Sequence, residues 1–164
     1  MSWLKRCAAA SLLLMVLVGL SLAKGYYNRQ YYSSWNYYPQ TNYYYRYYYY
    51  KPYDDYCGYK YQYCIYTPDY PDYCYFYNPY KRVYWGRCPC HCNGEGQYSV
   101  LAESDRQGDL ASIPSSAFPT PGPMPAIPDS KDGAKMDLPP DDLPKAPGQA
   151  APGLPGIKVG GGNK

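Results

Sequence analysis

The sequence predicts a mostly irregular, low-complexity chain with one small ordered patch, a disulfide-stapled β-hairpin or three-stranded meander, and a disordered Pro/Gly-rich tail. Three observations lead there. Of 164 residues, 26 are tyrosine and only two are phenylalanine, so most of the aromatic content carries a hydroxyl that needs a partner once buried. Six cysteines, Cys57, Cys64, Cys74, Cys88, Cys90 and Cys92, crowd into one stretch that also alternates like a strand. Prolines then recur from Pro114 to Pro155 among glycines, where few residues are apolar enough to offset the entropy of ordering.

Residues 1–23 read as a cleavable secretory leader. Lys5 and Arg6 make a positive start, an apolar run extends from Cys7 to Leu20, and Ser21 and Ala23 place small residues before a cut at Lys24. The run is short for a bilayer span of about 20 residues, and no second run follows. The expected product is secreted or extracytoplasmic, at the periplasm or cell surface, with no membrane span after leader removal. Losing Lys5 and Arg6 takes the formal charge of +3 close to neutral. Neither half of the remaining chain has a block of like charge that calls for nucleic acid or an anionic membrane.

Residues 24–52 form a degenerate repeat of tyrosine clusters separated by polar spacers. Side chains alternate across a strand, so a Tyr-Tyr doublet puts one ring on each face and specifies register poorly. This stretch is expected to be an extended, mobile, low-complexity arm. Residues 53–92 are expected to hold the small β region. Tyr59–Tyr66 alternates aromatic and polar, Thr67–Asp72 is a proline-bearing turn, Tyr73–Tyr77 is a second strand, and Asn78-Pro79-Tyr80-Lys81 turns into a return strand that ends at Gly86. Such a sheet is marginal alone and needs a staple. Residues 93–113 read as a linker with a possible short helix around Ala102–Asp105, and 114–164 as a disordered tail of polyproline II character.

Of the seven cysteines, Cys7 leaves with the leader, and an even count of six in an exported chain reads first as disulfides, joining the Cys57/Cys64/Cys74 set to the Cys88/Cys90/Cys92 set. The alternative is a secreted metal-binding protein, with Cys88, Cys90, His91 and Cys92 as soft ligands. That spacing departs from the usual zinc pairs. Free redox thiols are the third reading. His91, the one histidine, reads as an exposed or turn residue. Asp54-Asp55 and Asp141-Asp142 are carboxylate pairs without a cavity to shift their pKa values, and read as solvated charge. No nucleophile elbow or phosphate-binding loop occurs. No enzyme activity, catalytic residue or cofactor is expected.

The tyrosines carry the functional reading. Rings that are apolar at one end and polar at the other suit adhesion and oxidative cross-linking. The expectation is a non-enzymatic structural or interaction protein of the cell envelope, surface or extracellular matrix. Its partners would be envelope or matrix components or further copies of itself. An aromatic glycan-binding module is a further alternative, with Arg29, Arg46 and Lys51 available to acidic polymers.

Over Tyr73-Cys-Tyr-Phe-Tyr-Asn-Pro-Tyr-Lys-Arg-Val-Tyr-Trp-Gly-Arg-Cys88-Pro, and again over Asp137-Leu-Pro-Pro-Asp-Asp-Leu-Pro144, the chain resembles short, uncharacterised Tyr/Cys-rich exported proteins predicted in planctomycete-type bacteria. The resemblance spans about residues 55–145. It implies a bacterial periplasm or cell surface and carries over no site residue. Animal eggshell and cement proteins are similar in composition but lack the cysteine block.

Overall fold

A computed structural model describes residues 28–90, 98–144 and 157–158. The expected leader (1–23), His91, Cys92 and most of the segment beyond 144 lie outside the described residues. Within them the chain is a seven-stranded antiparallel sheet: β1 (Gln30–Tyr32), β2 (Asn36–Tyr38), β3 (Tyr43–Tyr50), β4 (Lys60–Tyr66), β5 (Tyr73–Asn78), β6 (Val83–Pro89) and β7 (Ser99–Val100). The order is β1-β3-β4-β5-β6-β7, and β2 pairs with β3 beyond the end of β1. Among the described residues no helix is long and apolar enough to cross a membrane.

This overturns the expectation of a mostly irregular chain. The tyrosine arm is not an arm: it supplies β1, β2 and the long central strand β3, whose residues 44–50 pair one to one with β4 from Tyr66 to Lys60. Doublets fail to specify a strand only when one face must be dry and the other wet. Here both faces are covered over much of their area, so a strand with rings on both sides is the correct pattern, as in the two-sided strands of buried sheets.

The first face carries Tyr43, Tyr45, Tyr63, Ile65, Tyr75, Tyr77 and Tyr84. Residues 101–118 cover its lower part with Leu101, Leu110, Ile113 and Phe118, and Ile157 joins them. Three 3₁₀ turns, Glu103–Asp105, Leu110–Ser112 and Ser115–Ala117, shape this cover. Asp109 caps the second by accepting from the Ala111 amide.

The second face carries Tyr48, Tyr50, Cys64, Cys74, Phe76, Trp85, Cys88 and Cys90. Its cover is the proline-rich segment. Residues 119–144 run back over the sheet as an ordered strap that buries Met124, Ile127 and Met136. Each such side chain contributes roughly 1.5–3 kcal/mol of burial. Proline has little backbone freedom to lose, which lowers the cost of ordering a strap that forms few ladder bonds. The strap is tied at both ends. The Tyr98 and Gly122 backbones exchange hydrogen bonds of 2.7 and 3.0 Å, and Ser99 Oγ donates to the Pro119 carbonyl at 2.9 Å. Toward its far end Gln30 Nε2 donates to the Lys135 carbonyl at 2.9 Å, Gln30 Oε1 accepts from the Asp137 amide at 3.0 Å, and Tyr32 donates to the Asp137 carbonyl at 3.0 Å. Arg29 holds Asp132, whose carboxyl the Arg29 hydrogen bond keeps well below the usual carboxylate range.

The expected staple is also overturned. No disulfide joins the described cysteines. Cys74 sits opposite Cys88 on the neighbouring strand, and its sulfur lies 3.6 Å from that of Cys90, outside bonding distance. Hydrophobic cover from the strap supplies what the staple was expected to supply.

The return strand continues past Gly86 to Pro89, and a bulge makes that possible. Phe76 pairs with Gly86 but Tyr77 pairs with Tyr84, so Trp85 is an extra residue on β6. A methyl group at position 86 would lie 2.5 Å from Tyr98 Cε1 and 2.9 Å from the Ser99 carbonyl. Glycine is required there for Tyr98 to close over the sheet.

Candidate functional site

Two features on the described surface can meet a partner. The first is a row of tyrosine rings on the open upper part of the first face. Tyr31 stacks on Tyr49 (4.9 Å between centroids), Tyr49 on Tyr47 (5.3 Å), and Tyr47 meets Tyr61 edge-on (5.5 Å). Tyr61 in turn meets Tyr80 of the β5–β6 turn (5.7 Å). The ends of the row are the most open, Tyr31 at 39% and Tyr80 at 63% exposure. Cross-strand pairing positions these rings: Tyr31 faces Tyr49 and Tyr49 faces Tyr61 in the register. Burial, then the neighbouring Tyr47 phenol, pushes the Tyr49 phenol above its ordinary value, so it stays uncharged in neutral water.

The second feature is a cleft of about 560 Å³ at one end of the second face. It opens where β3 ends, β4 begins and the β5–β6 turn closes, under residues 126–129 of the strap. Its buried floor is Tyr50, Gln62 and Trp85, and alternation along β6 sends Trp85 to this face while Tyr84 goes to the other. Tyr56, Tyr59 and Tyr80 form its aromatic walls. Lys60, Lys81 and Arg106 bring positive charge, and Asp129 is the one acid of the lining. Lys60 Nζ donates to Asp129 at 2.7 Å, and Asp129 adopts a left-handed backbone with φ of 62°. Burial pushes the Tyr50 phenol up to about 12, with the Asp129 charge adding to the shift. Two floor atoms, Gln62 Oε1 and Trp85 Nε1, are buried with no hydrogen-bond partner in the protein.

The residues singled out from sequence are redistributed. Cys64, Cys74, Cys88 and Cys90 gather in one buried layer, and Cys57 is exposed in the β3–β4 loop. Hydrogen bonding with Cys64, together with burial, pushes the Cys74 thiol well above its ordinary value, which keeps it protonated and unreactive. Of the proposed metal ligands, Cys88 and Cys90 belong to that layer, while His91 and Cys92 lie outside the described residues. Among the described residues no group of three His, Cys, Asp or Glu is arranged to hold a cation.

Arg29 and Arg46 are not available to an acidic polymer. Arg29 is engaged by Asp132 and by the Lys51 and Pro52 carbonyls. Arg46 is 1% exposed, donates to Asp142 at 2.9 Å and to the Pro140 carbonyl at 3.0 Å, and lies 4.0 Å from the Trp35 ring centroid. Asp142 is therefore a strap anchor instead of a solvated charge. Lys51 sits over the Tyr59 ring at 5.1 Å. Asp54, largely exposed, lies 3.8 Å from Arg29.

Sequence reasoning missed the cleft. Its lining comes from β3, β4, the β5–β6 turn, β6 and the strap, and no spacing in the chain links them. The one local sign was glycine inside a strand pattern at Gly86, which marks bulges. No family model, curated protein or solved structure matches the chain.

Proposed function

We propose that this chain is a non-enzymatic interaction protein of the cell envelope, surface or extracellular matrix, which holds its partners through exposed tyrosines. The observation that carries this reading is the row Tyr31–Tyr49–Tyr47–Tyr61–Tyr80. Four of its five rings, Tyr31, Tyr49, Tyr47 and Tyr61, sit on paired strands, so little freedom is lost when a surface lies down on them. Each ring offers an apolar face and a hydroxyl, the combination that adheres to wet, mixed surfaces. The open ends, Tyr31 and Tyr80, are also the rings a second chain can reach for ring-to-ring coupling by an external peroxide-type oxidant, which takes one hydrogen atom from each phenol and is reduced to water as the new carbon–carbon bond forms.

The test is fractionation of native cells or matrix. The protein is expected in the insoluble envelope or matrix fraction, and the triple variant Tyr31→Ser, Tyr49→Ser, Tyr80→Ser is expected to move to the soluble fraction with its fold intact by circular dichroism. Recovery of the unaltered protein wholly in the soluble fraction overturns the reading.

A further inference from the structure

We infer that the cleft under the strap is a binding site for an acidic saccharide, one whose pyranose rings carry carboxylate groups. This inference stands on the cleft, which shares Tyr80 alone with the open tyrosine row.

The argument begins with size and lining. A volume of about 560 Å³ falls in the range of small-molecule sites, roughly 300–1,000 Å³. Such sites combine aromatic walls with a few convergent polar groups, and both are present. A pyranose presents a face of C–H bonds to an aromatic ring and a rim of hydroxyls to polar groups. Tyr56, Tyr59 and Tyr80 supply the rings.

The polar floor narrows the class further. Gln62 Oε1 is an acceptor and Trp85 Nε1 a donor, both without a partner in the protein. A carboxylate only accepts and an ammonium only donates, whereas a hydroxyl does both. A hydroxylated ligand answers both atoms with one kind of group, and the aromatic walls favour a sugar among such ligands. Each is covered in this conformation, so the sugar reaches them only when side chains of the cleft lining move aside. Tyr80, at 63% exposure, has room to move.

Charge decides between neutral and acidic sugars. Three cations line the cleft against one acid, Asp129, and that acid is already paired with Lys60. Arg106 has Glu103 at 3.5 Å, while Lys81 has no acid partner among the described residues. Lys81 is the cation left to meet a carboxylate at the mouth.

The experiment is calorimetric titration of the soluble full chain with trigalacturonate, in parallel with its uncharged methyl ester. Trigalacturonate is expected to bind, and to bind more tightly than the ester. Lys81→Met should weaken the acid about fivefold and leave the ester unchanged, the effect of one exposed charge pair. Trp85→Phe and Gln62→Met should weaken both ligands about tenfold by removing a hydroxyl partner. Tyr80→Ala, a surface change, keeps the test open if a floor variant fails to fold, and should weaken both. No binding of either ligand overturns the site. Equal binding of acid and ester, or an unchanged affinity in Lys81→Met, overturns the acidic class. The measurement uses dissolved protein, so its failure leaves the fractionation result standing.

Discussion

The two faces of β3 are built from nearly the same residues and end in different states. Tyr43, Tyr45, Tyr47 and Tyr49 point to the first face, and Tyr44, Arg46, Tyr48 and Tyr50 to the second. On the first face the cover stops part-way, and Tyr47 and Tyr49 remain part-exposed. On the second the strap continues, so hydroxyls and a guanidinium must find partners inside the protein. Tyr48 donates to Gln30 Oε1, and Arg46 finds Asp142, Pro140 and the Trp35 ring. Composition is thus a poor guide to what a tyrosine does; what lies across from it decides.

Alkali breaks the covered regions first and by the largest margin. Burial raises the phenols of Tyr32, Tyr48, Tyr50, Tyr84 and Tyr98 above the ordinary value of 10.0. A raised folded pKa means the native state keeps a proton that the unfolded chain releases. The resulting stability is complete below pH 10, and falls as pH rises through the folded values, by about 1.4 kcal/mol per pH unit for each such phenol. Several act together, and a domain has only about 5–15 kcal/mol to lose. The phenolate absorbance of these buried tyrosines should therefore appear in one cooperative step that coincides with loss of the sheet signal in circular dichroism, after the exposed rings have ionised. Gradual titration of all tyrosines with the sheet intact would contradict this picture.

Arg46→Ala should come next, at about 2–4 kcal/mol. It removes an ion pair, a bond to a strap carbonyl and a stacked aromatic contact from a site that is 1% exposed. The loss stays below that of a fully buried pair because Asp142 is 64% exposed and returns to water. Urea unfolding measures the change, and hydrogen exchange should show the amides near Asp137–Leu143 losing protection before those of β4 and β5. Uniform loss of protection would mean that the strap is not held through Arg46.

The finest comparison uses adjacent residues. Tyr48→Phe deletes a buried donor to Gln30 and should cost about 1 kcal/mol. Tyr49→Phe, on the open side, should stay within about 0.5 kcal/mol. Equal costs in urea unfolding would erase the distinction between the faces.

Local pattern was legible where it rests on neighbours in the chain. The alternation over Tyr59–Tyr66 falls on β4, and the Asn78–Lys81 turn joins β5 to β6, with Asn78 Oδ1 accepting from the Tyr80 and Lys81 amides at 2.9 and 3.0 Å. The strap was not legible, because Met124, Ile127 and Met136 are spaced irregularly among prolines and match no helix or strand period. The cleft was not legible either, since its lining is drawn from β3, β4, the β5–β6 turn, β6 and the strap, which no spacing in the chain links.

The chain alone determined strand alternation, the turns and the supply of rings, because steric and hydrogen-bonding preferences act over a few residues. Tertiary structure decided which tyrosines are covered, that the proline-rich segment is ordered, and that the cysteines form an apolar layer. Those outcomes rest on contacts such as Arg46 with Asp142, 96 residues apart. Burial of a face depends on what arrives opposite it, and no local pattern carries that information.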